Sequence, residues 1–224
     1  MSDTFNLSEF TNQLLEGATL NQIEINATFC AKLYKYIHLL IEWNSKFNIT
    51  SHSSVSDFIY KDILDQLIAF NKIPTYLSKT THLMDAGAGA GFSGVILALY
   101  YTSIEISFLE KSRKKMNFIR HACLDLGIKA NFINSSLNLT QDSSIPLFDM
   151  IISRATWDIP LFRSYVQNYV QNNGYAIYFG GPHQFYQEKQ LNQNLEFKDE
   201  LQYTILPYNY YRKLFIFQKN NSFT

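Results

Sequence analysis

The amino-acid sequence predicts an α/β fold: a doubly wound, mostly parallel sheet with a helical N-terminal extension and a C-terminal antiparallel hairpin. Apolar residues recur at helical spacing as far as residue 70, short apolar strands alternate with helices from residue 82, and the last two strands have no helix between them. Because 224 residues can build one well-buried core but not two large domains, we predict one compact unit. Its extension spans residues 1–74 and its α/β domain residues 75–224.

The extension is predicted to form three helices, at residues 5–18, 26–47 and 55–70. In the second helix, Phe29, Leu33 and Ile37 lie on one face, as in an amphipathic helix. Residues 48–54 are rich in Ser, Thr and Asn and should end this helix, and Pro74 follows the third helix.

The rest of the chain alternates between strands and helices. Strands are predicted at residues 82–86, 104–109, 130–134, 148–152 and 175–179, and helices at residues 93–100, 113–126 and 159–170. This order predicts parallel strands joined by right-handed crossovers. The final strands, at residues 200–206 and 214–218, meet across the turn region 207–212 and should form the hairpin.

Composition bounds the function without deciding it. Hydrophobic residues make up 46% of the chain and charged residues 17%, which is typical of a globular protein. The N-terminus does not resemble a signal peptide, and the apolar stretch 95–101 is too short to cross a bilayer. Cys30 and Cys123 form either a disulfide or, as we predict, two buried free thiols in a reducing compartment. These observations together lead us to expect a cytoplasmic protein with no membrane partner. The five histidines are scattered and predict no metal site.

Charge is balanced overall but unevenly distributed. The 19 basic and 19 acidic residues cancel, which weakly disfavours a dedicated nucleic-acid binder. A basic run nevertheless occupies residues 111–121, with Lys111, Arg113, Lys114, Lys115, Arg120 and His121. Such a run forms either the solvated face of a helix or a contact surface for RNA phosphates.

The strongest chemical signal is the segment DAGAGAGFSG, residues 85–94, between the first strand of the α/β domain and its helix. Glycines such as Gly87 and Gly89 let the backbone turn sharply and lie against a ligand without intervening Cβ atoms. The ligand would sit outside the carboxyl ends of the strands. Glu110 ends the second strand, where its carboxylate can accept hydrogen bonds from both hydroxyls of a ribose.

This loop has three interpretations. Residues 89–94 also fit the dinucleotide pattern GxGxxG, with Glu110 suitable for NAD, and the glycines could instead form a purely structural turn. Asp85, two residues before Gly87, favours S-adenosylmethionine, because a carboxylate there can meet the methionine ammonium or its hydrogen-bond network. The C-terminal hairpin favours the same interpretation, since it is typical of S-adenosylmethionine-dependent methyltransferases rather than of most dehydrogenases.

Six segments follow one another in an informative order. They are WN and FNIT within residues 43–50, DILDQ at 62–66, the glycine loop with Phe92, LE, KK and FI within 109–119, FDMIISRA at 148–155, and RKL at 212–214. Together they resemble the bacterial small-subunit ribosomal RNA guanine-N7 methyltransferases, also called glucose-inhibited division protein B, from residue 36 to the C-terminus.

The resemblance implies S-adenosyl-L-methionine as cofactor. It further implies that Gly87 and Phe92 line the cofactor pocket, and that Glu110 holds the ribose. Leu137 and Asn138 would lie beside the adenine. Core packing is the alternative role for Phe92, and a solvated strand end is the alternative for Glu110.

The resemblance also implies that Arg154 lies between cofactor and substrate, which makes it the candidate catalytic residue; the alternative is a surface residue at a strand end. Guanine N7 carries an in-plane lone pair and no proton, so its attack on a sulfonium methyl group needs no general base. The protein would align the reacting atoms and exclude water. Arg154 could position guanine by hydrogen bonds to O6 or N7.

The sequence departs from the family pattern mainly on the substrate side. Lys61-Asp62 replaces Arg-His, Gln66 replaces serine, Gly180 replaces lysine, and Ser136-Leu137-Asn138 replaces R-x-E. The leading hypothesis is a monomeric enzyme that methylates guanine N7 in ribosomal RNA or in the small ribosomal subunit. Its competitors are a methyltransferase acting on another acceptor and a non-catalytic cofactor-binding protein that acts through protein partners.

Overall fold

The computed structural model describes residues 6–52, 54–154, 156–186 and 194–220. Its α-helices are α1 (Leu7–Leu20), α2 (Ala27–Phe47), α3 (Val55–Asp57), α4 (Leu64–Lys72), α5 (Pro74–Leu77), α6 (Phe92–Tyr100), α7 (Arg113–Leu126) and α8 (Ile159–Val166), and a π-helical segment, Phe58–Ile63, joins α3 to α4. Its strands are β1 (His82–Ala86), β2 (Glu105–Leu109), β3 (Ala130–Ile133), β4 (Phe148–Arg154), β5 (Val170–Gly180), β6 (Leu195–Ile205) and β7 (Tyr210–Lys219).

Asparagine side chains define the ends of the first two helices. Asn6 and Asn26 cap α1 and α2 by accepting hydrogen bonds from backbone N–H groups of the first turn. Asn48 ends α2 in the left-handed conformation, with φ of 51°. The break predicted after residue 47 is therefore confirmed.

The seven strands form one sheet in the order β3-β2-β1-β4-β5-β7-β6. The first five strands pair in parallel, and β7 pairs antiparallel with both β5 and β6. The chain therefore crosses from one half of the sheet to the other after β3, and the switch point lies between the neighbouring strands β1 and β4. In a doubly wound sheet, this switch point opens a crevice at the carboxyl ends of the strands, where ligands bind.

The sheet carries a hydrophobic core on each face. One core combines the helical extension with α6, α7 and sheet residues such as Leu83, Ile106 and Ile152. The other combines α8 with Met84, Leu109 and sheet neighbours. The helical extension thus packs directly against the α/β domain, and the division at residues 74 and 75 stays a prediction.

The structure corrects the predicted helices in two places. The helix predicted at residues 55–70 contains a π-helical segment, and the helix predicted to reach residue 170 ends at Val166. A turn in which the Tyr169 N–H bonds to the Val166 carbonyl oxygen comes next, and Val170 then pairs with Phe148 to begin β5. Residue 5, the predicted start of the first helix, lies outside the described residues.

Two smaller expectations concern the thiols and the membrane. Cys30 and Cys123 are buried and free, as predicted. Within the described ranges, we find no helix with the length and apolarity that a bilayer span requires.

Candidate cofactor and substrate site

The glycine loop leaves β1 in a left-handed backbone conformation that few other residues adopt. Gly87 and Gly89 have φ values of +71° and +61°. The N–H groups of Gly87 and Ala88 both donate to the Leu109 carbonyl oxygen, at 2.8 and 3.0 Å, which ties the loop to the end of β2. A Cβ atom at Gly87 would lie 2.4 Å from Thr156 Oγ1, whereas one at Gly89 would have no atom nearer than 3.9 Å. The backbone at Gly89 is therefore open to a ligand.

Asp85 lies beneath this loop and is almost fully buried. Its Oδ2 accepts a hydrogen bond from the Gly94 N–H group at 2.9 Å, close to the N-terminus of α6. Burial raises the pKa of Asp85 to about 7, although the Gly94 bond and the charge of Arg154 oppose the rise. The carboxyl group thus supports the loop geometry while it also lines a cavity.

Glu110 joins the loop to the beginning of α7. Its Oε2 accepts from the Gly89 N–H at 2.9 Å, and its Oε1 accepts from the Ser112 N–H at 2.8 Å. Each carboxylate oxygen can accept two hydrogen bonds, so both keep capacity for a ligand hydroxyl. A buried glutamate with this capacity fits the two hydroxyls of a ribose.

Phe92 begins α6 and connects the loop to the helical extension. Its ring packs edge-to-face with Tyr36 of α2, with centroids 5.6 Å apart. The Tyr36 hydroxyl donates to the Ala90 carbonyl oxygen at 2.6 Å, and burial raises the pKa of Tyr36 well above its ordinary value. Phe92 is thus both a core residue and a cavity residue, because it also lines the larger cavity described next.

Two cavities meet at Gly87, which lines both. The smaller cavity, about 560 Å³, lies at the ends of β2 and β3 and is lined by Glu110, Leu137 and Asn138 among others. The larger cavity, about 1000 Å³, contains Asp85, Gly89, Phe92, Arg154 and residues of the helical extension. The residues predicted to bind the cofactor therefore divide between the two cavities, and Gly87 lines both.

Arg154, at the end of β4, is held by carboxylates from the helical extension. Its Nη2 donates to Asp62 Oδ1 at 2.6 Å, and its Nη1 lies 3.5 Å from Asp65 Oδ2 and donates to the Lys61 carbonyl oxygen at 3.1 Å. Burial disfavours the charged guanidinium, but the two aspartates outweigh burial and raise the pKa of Arg154. The guanidinium carbon also lies 5.7 Å from the Phe92 ring centroid. Arg154 is a charged, oriented group in the cavity wall.

The two aspartates extend this cluster to further side chains. Asp62 Oδ2 lies 2.6 Å from His52 Nδ1, and this hydrogen bond is the main cause of a raised His52 pKa. Asp65 accepts from the Tyr203 hydroxyl at 2.6 Å and lies 3.6 Å from Arg212 Nε. Burial raises the pKa of Asp65, partly offset by the nearby arginines.

The substrate-side departures do not all reach the site. Asp62 and Gly180 line the larger cavity, as does Lys61. Gln66 does not line it: it is fully buried in α4, and neither end of its amide has a hydrogen-bond partner among the described residues. Ala155, the last residue of the SRA motif, lies outside the described residues.

Sequence reasoning did not single out His52 or Tyr203, and it named Asp65 and Arg212 only as members of the DILDQ and RKL segments, without a role in the site. One signal was present for Asp65, because an acid three residues after Asp62 shares its helical face in an otherwise apolar segment and needs a buried partner. The partners themselves come from distant segments, and no local pattern identifies them.

Comparison with known proteins decides the family. A sequence model of the GidB family, rRNA small subunit methyltransferase G, matches residues 29–213. The chain belongs to this family. The match covers both cavities, because it includes the glycine loop, Glu110, Arg154 and Arg212.

Individual members of the methyltransferase G family support the same placement. The ribosomal RNA small subunit methyltransferase G of Alkaliphilus oremlandii is 30% identical over 178 residues, which cover 78% of this chain and 73% of that one. The Syntrophus aciditrophicus member is 28% identical and aligns over 99% of this chain and 98% of its own. A solved structure from Listeria monocytogenes, described as a class I S-adenosylmethionine-dependent methyltransferase, shares the fold with a TM-score of 0.60 at 11% identity, over 86% of this chain and 70% of that one.

Family and fold confirm the predicted class. The chain is an S-adenosyl-L-methionine-dependent methyltransferase with a mostly parallel sheet and a C-terminal antiparallel pair. Two features fit that cofactor: the space beside the Gly89 backbone, and the Glu110 carboxylate, whose oxygens can each accept a further hydrogen bond.

Proposed function

We propose that this chain transfers the methyl group of S-adenosyl-L-methionine to N7 of a guanine in small-subunit ribosomal RNA. The observation that carries the proposal is that two cavities meet at Gly87. One is lined by Glu110, whose carboxylate suits a ribose, and the other by Arg154, whose guanidinium is held in one orientation. The name shared by the relatives, ribosomal RNA small subunit methyltransferase G, supplies the substrate class.

The smaller cavity would hold the nucleoside half of the cofactor. Glu110 would accept hydrogen bonds from the ribose hydroxyls, and Leu137 and Asn138 would flank the adenine. Leu137 is buried and apolar, which suits a base face, whereas Asn138 is exposed and offers polar groups to a base edge. Gly87, Gly89 and Asp85 would hold the methionine half where the two cavities meet.

The larger cavity would hold the guanine. When bound, the cofactor supplies an electrophilic methyl group on a positively charged sulfur. Arg154 would orient the base, because its hydrogen bonds to Lys61 and Asp62 use only part of its five N–H donors and its side chain is 27% exposed in the cavity wall. Asp62 and Asp65 would keep that guanidinium in one position, which aligns the N7 lone pair with the methyl group.

The basic run gives the site a place for RNA phosphates. Arg113, Lys114 and Lys115 form the first turn of α7, which contains no acidic residue, and Lys115 lines the larger cavity. Positive charges at a helix N-terminus oppose the helix dipole, so this arrangement does not serve helix stability. The same charges would neutralise phosphates beside the cavity.

The test is methyl transfer followed by identification of the product. The protein would be incubated with a labelled methyl donor and either small ribosomal subunits or naked small-subunit RNA, and digested RNA analysed by mass spectrometry. We expect label in 7-methylguanosine. Absence of label from both RNA preparations, with intact cofactor binding shown by calorimetry, would refute the ribosomal substrate.

His52 and Asp62 favour one alternative acceptor. A histidine that lines the cavity and is oriented by a buried aspartate 2.6 Å away is a typical general base, and guanine N7 needs none. Such a base suits an acceptor that loses a proton, such as an exocyclic amine or a hydroxyl. Label at an amine or hydroxyl, together with loss of turnover in His52→Gln, would establish this alternative.

A further inference from the structure

The turn between β6 and β7 and the start of β7 carry tyrosines that lie next to residues of the larger cavity. Tyr208 and Tyr210 stack with ring centroids 5.5 Å apart and an interplanar angle of 21°. Tyr60, from the π-helical segment, meets Tyr208 edge-on at 4.9 Å. We call Tyr60, Tyr208 and Tyr210 the tyrosine stack. Two neighbouring rings hold Tyr208 in place, so it is an ordered aromatic surface.

Two cations connect the tyrosine stack to the cavity. Lys61 Nζ lies 5.6 Å from the Tyr210 ring centroid, and the Arg212 guanidinium carbon lies 5.9 Å from it. Both residues also line the larger cavity. Each cation also has an acidic neighbour: Asp57 Oδ1 lies 2.6 Å from Lys61 Nζ, and Asp65 Oδ2 lies 3.6 Å from Arg212 Nε. The stack therefore adjoins the place proposed for the acceptor base, with two basic side chains between them.

The exposure of Tyr208 is what points to a ligand. Tyr208 is 51% exposed, although its two aromatic neighbours are largely or partly buried. A single exposed tyrosine is ordinary. An exposed ring held in place by other rings, beside cations at a cavity rim, has the composition of a surface on which nucleic-acid bases stack.

We propose that the tyrosine stack binds an unpaired nucleotide of the RNA substrate, adjacent to the nucleotide that enters the larger cavity, by stacking its base on Tyr208. This proposal rests on the proposed function. The nucleotide must be unpaired, because base faces inside a duplex are covered by their neighbours. Lys61 and Arg212 would contact its phosphates, and the basic turn of α7 would contact the strand on the Lys115 side of the cavity.

The chain supplies a matched control on the same hairpin. Tyr211 is 62% exposed and follows Tyr210 in β7. Successive side chains of a strand point to opposite faces, so Tyr211 points away from the face that carries Tyr210 and Arg212. Tyr211→Ala therefore removes an exposed tyrosine from the hairpin without touching the tyrosine stack.

Binding of a labelled single-stranded oligoribonucleotide, measured by fluorescence anisotropy, tests the proposal directly. We expect Tyr208→Ala to weaken binding about 5- to 150-fold, as loss of one stacked base does. Tyr208→Phe and Tyr211→Ala should bind within twofold of the wild-type protein. Unchanged cofactor affinity in each variant shows that the fold is intact. Wild-type affinity in Tyr208→Ala, or an equal loss in Tyr211→Ala, would overturn the proposal.

Methyl transfer to naked small-subunit RNA and to small subunits separates this proposal from the proposed function. We expect Tyr208→Ala to raise the KM for both RNA preparations. If the wild-type protein methylates RNA and Tyr208→Ala does so with unchanged KM, the stacking proposal fails and the function stands. If Tyr208→Ala matters only for intact subunits, the stack contacts a ribosomal protein and the proposal is wrong. If the wild-type protein transfers no label to RNA, the proposed function fails, and the oligonucleotide measurement still decides the stacking proposal.

Discussion

Glu110→Gln tests the proposed cofactor site at the carboxylate assigned to the ribose. The wild-type carboxylate accepts from the Gly89 and Ser112 N–H groups at 2.9 and 2.8 Å, one on each oxygen. In glutamine, an NH2 group replaces one of these two oxygens. It cannot accept a hydrogen bond, so either the Gly89 or the Ser112 N–H group loses its acceptor. Because a hydrogen bond to a charged group contributes about 1.5–3 kcal/mol, we expect the free energy of unfolding to fall by about 2 kcal/mol in the absence of cofactor.

Cofactor affinity should fall separately, through the ribose contact. Loss of a charged hydrogen bond to a ribose hydroxyl corresponds to roughly 10- to 150-fold weaker binding, which calorimetry with S-adenosyl-L-methionine would measure. Glu105→Gln is the matched control, because Glu105 is an exposed glutamate at the other end of β2, paired with His82. The control should keep cofactor affinity within twofold. A Glu110→Gln protein with reduced stability but wild-type affinity would refute the ribose assignment.

Further predictions concern the loop, Arg154 and pH. Gly89→Ala should lower the free energy of unfolding by about 1–2 kcal/mol, because its backbone is left-handed, and should block cofactor binding. Gly87→Ala should destabilise the fold further, because its methyl group would lie 2.4 Å from Thr156 Oγ1. Urea denaturation and calorimetry compare the two variants, and wild-type cofactor affinity in Gly89→Ala would contradict the loop assignment. Arg154→Ala should lower kcat more than cofactor affinity, with partial recovery in Arg154→Lys, and normal turnover would remove this residue from the site. Asp85 binds a proton more tightly in the folded state, with a pKa of about 7, than in the unfolded chain, so its contribution to stability falls as pH rises from about 4 through 7. The stability of Asp85→Asn relative to wild type should therefore rise between about pH 4 and pH 7. A constant difference across that range in urea denaturation would show that Asp85 does not titrate there.

The sequence predicted those parts of the site that depend on local pattern. The glycine loop and Glu110 follow consecutive strands, and parallel strands bring their carboxyl ends to one edge, so their proximity follows from the alternation of elements. The hairpin followed from two strand patterns without a helix between them. The boundaries of β1 and α7 were predicted correctly, since a glycine ends α7 and a glycine loop follows β1.

The remainder depends on contacts between distant segments. Arg154 and its partner Asp62 are 92 residues apart, and the hydrogen bond between Tyr203 and Asp65 spans 138 residues. The π-helical segment is equally hidden, because a six-residue segment inside a longer helical stretch is too short to show an apolar periodicity of its own. Such segments are frequent at functional sites, and this one carries Asp62.

The hydroxyl of Tyr36 couples α2 of the helical extension to the glycine loop. Its bond to Ala90 is buried and joins residues 54 positions apart, so the loop can loosen only if α2 gives up that bond. A polypeptide that lacks residues 1–74 would lose this anchor and would expose the apolar surface that the first helices cover. Binding of S-adenosyl-L-methionine should accordingly slow amide hydrogen exchange in α2, although α2 is distant in sequence from the glycine loop.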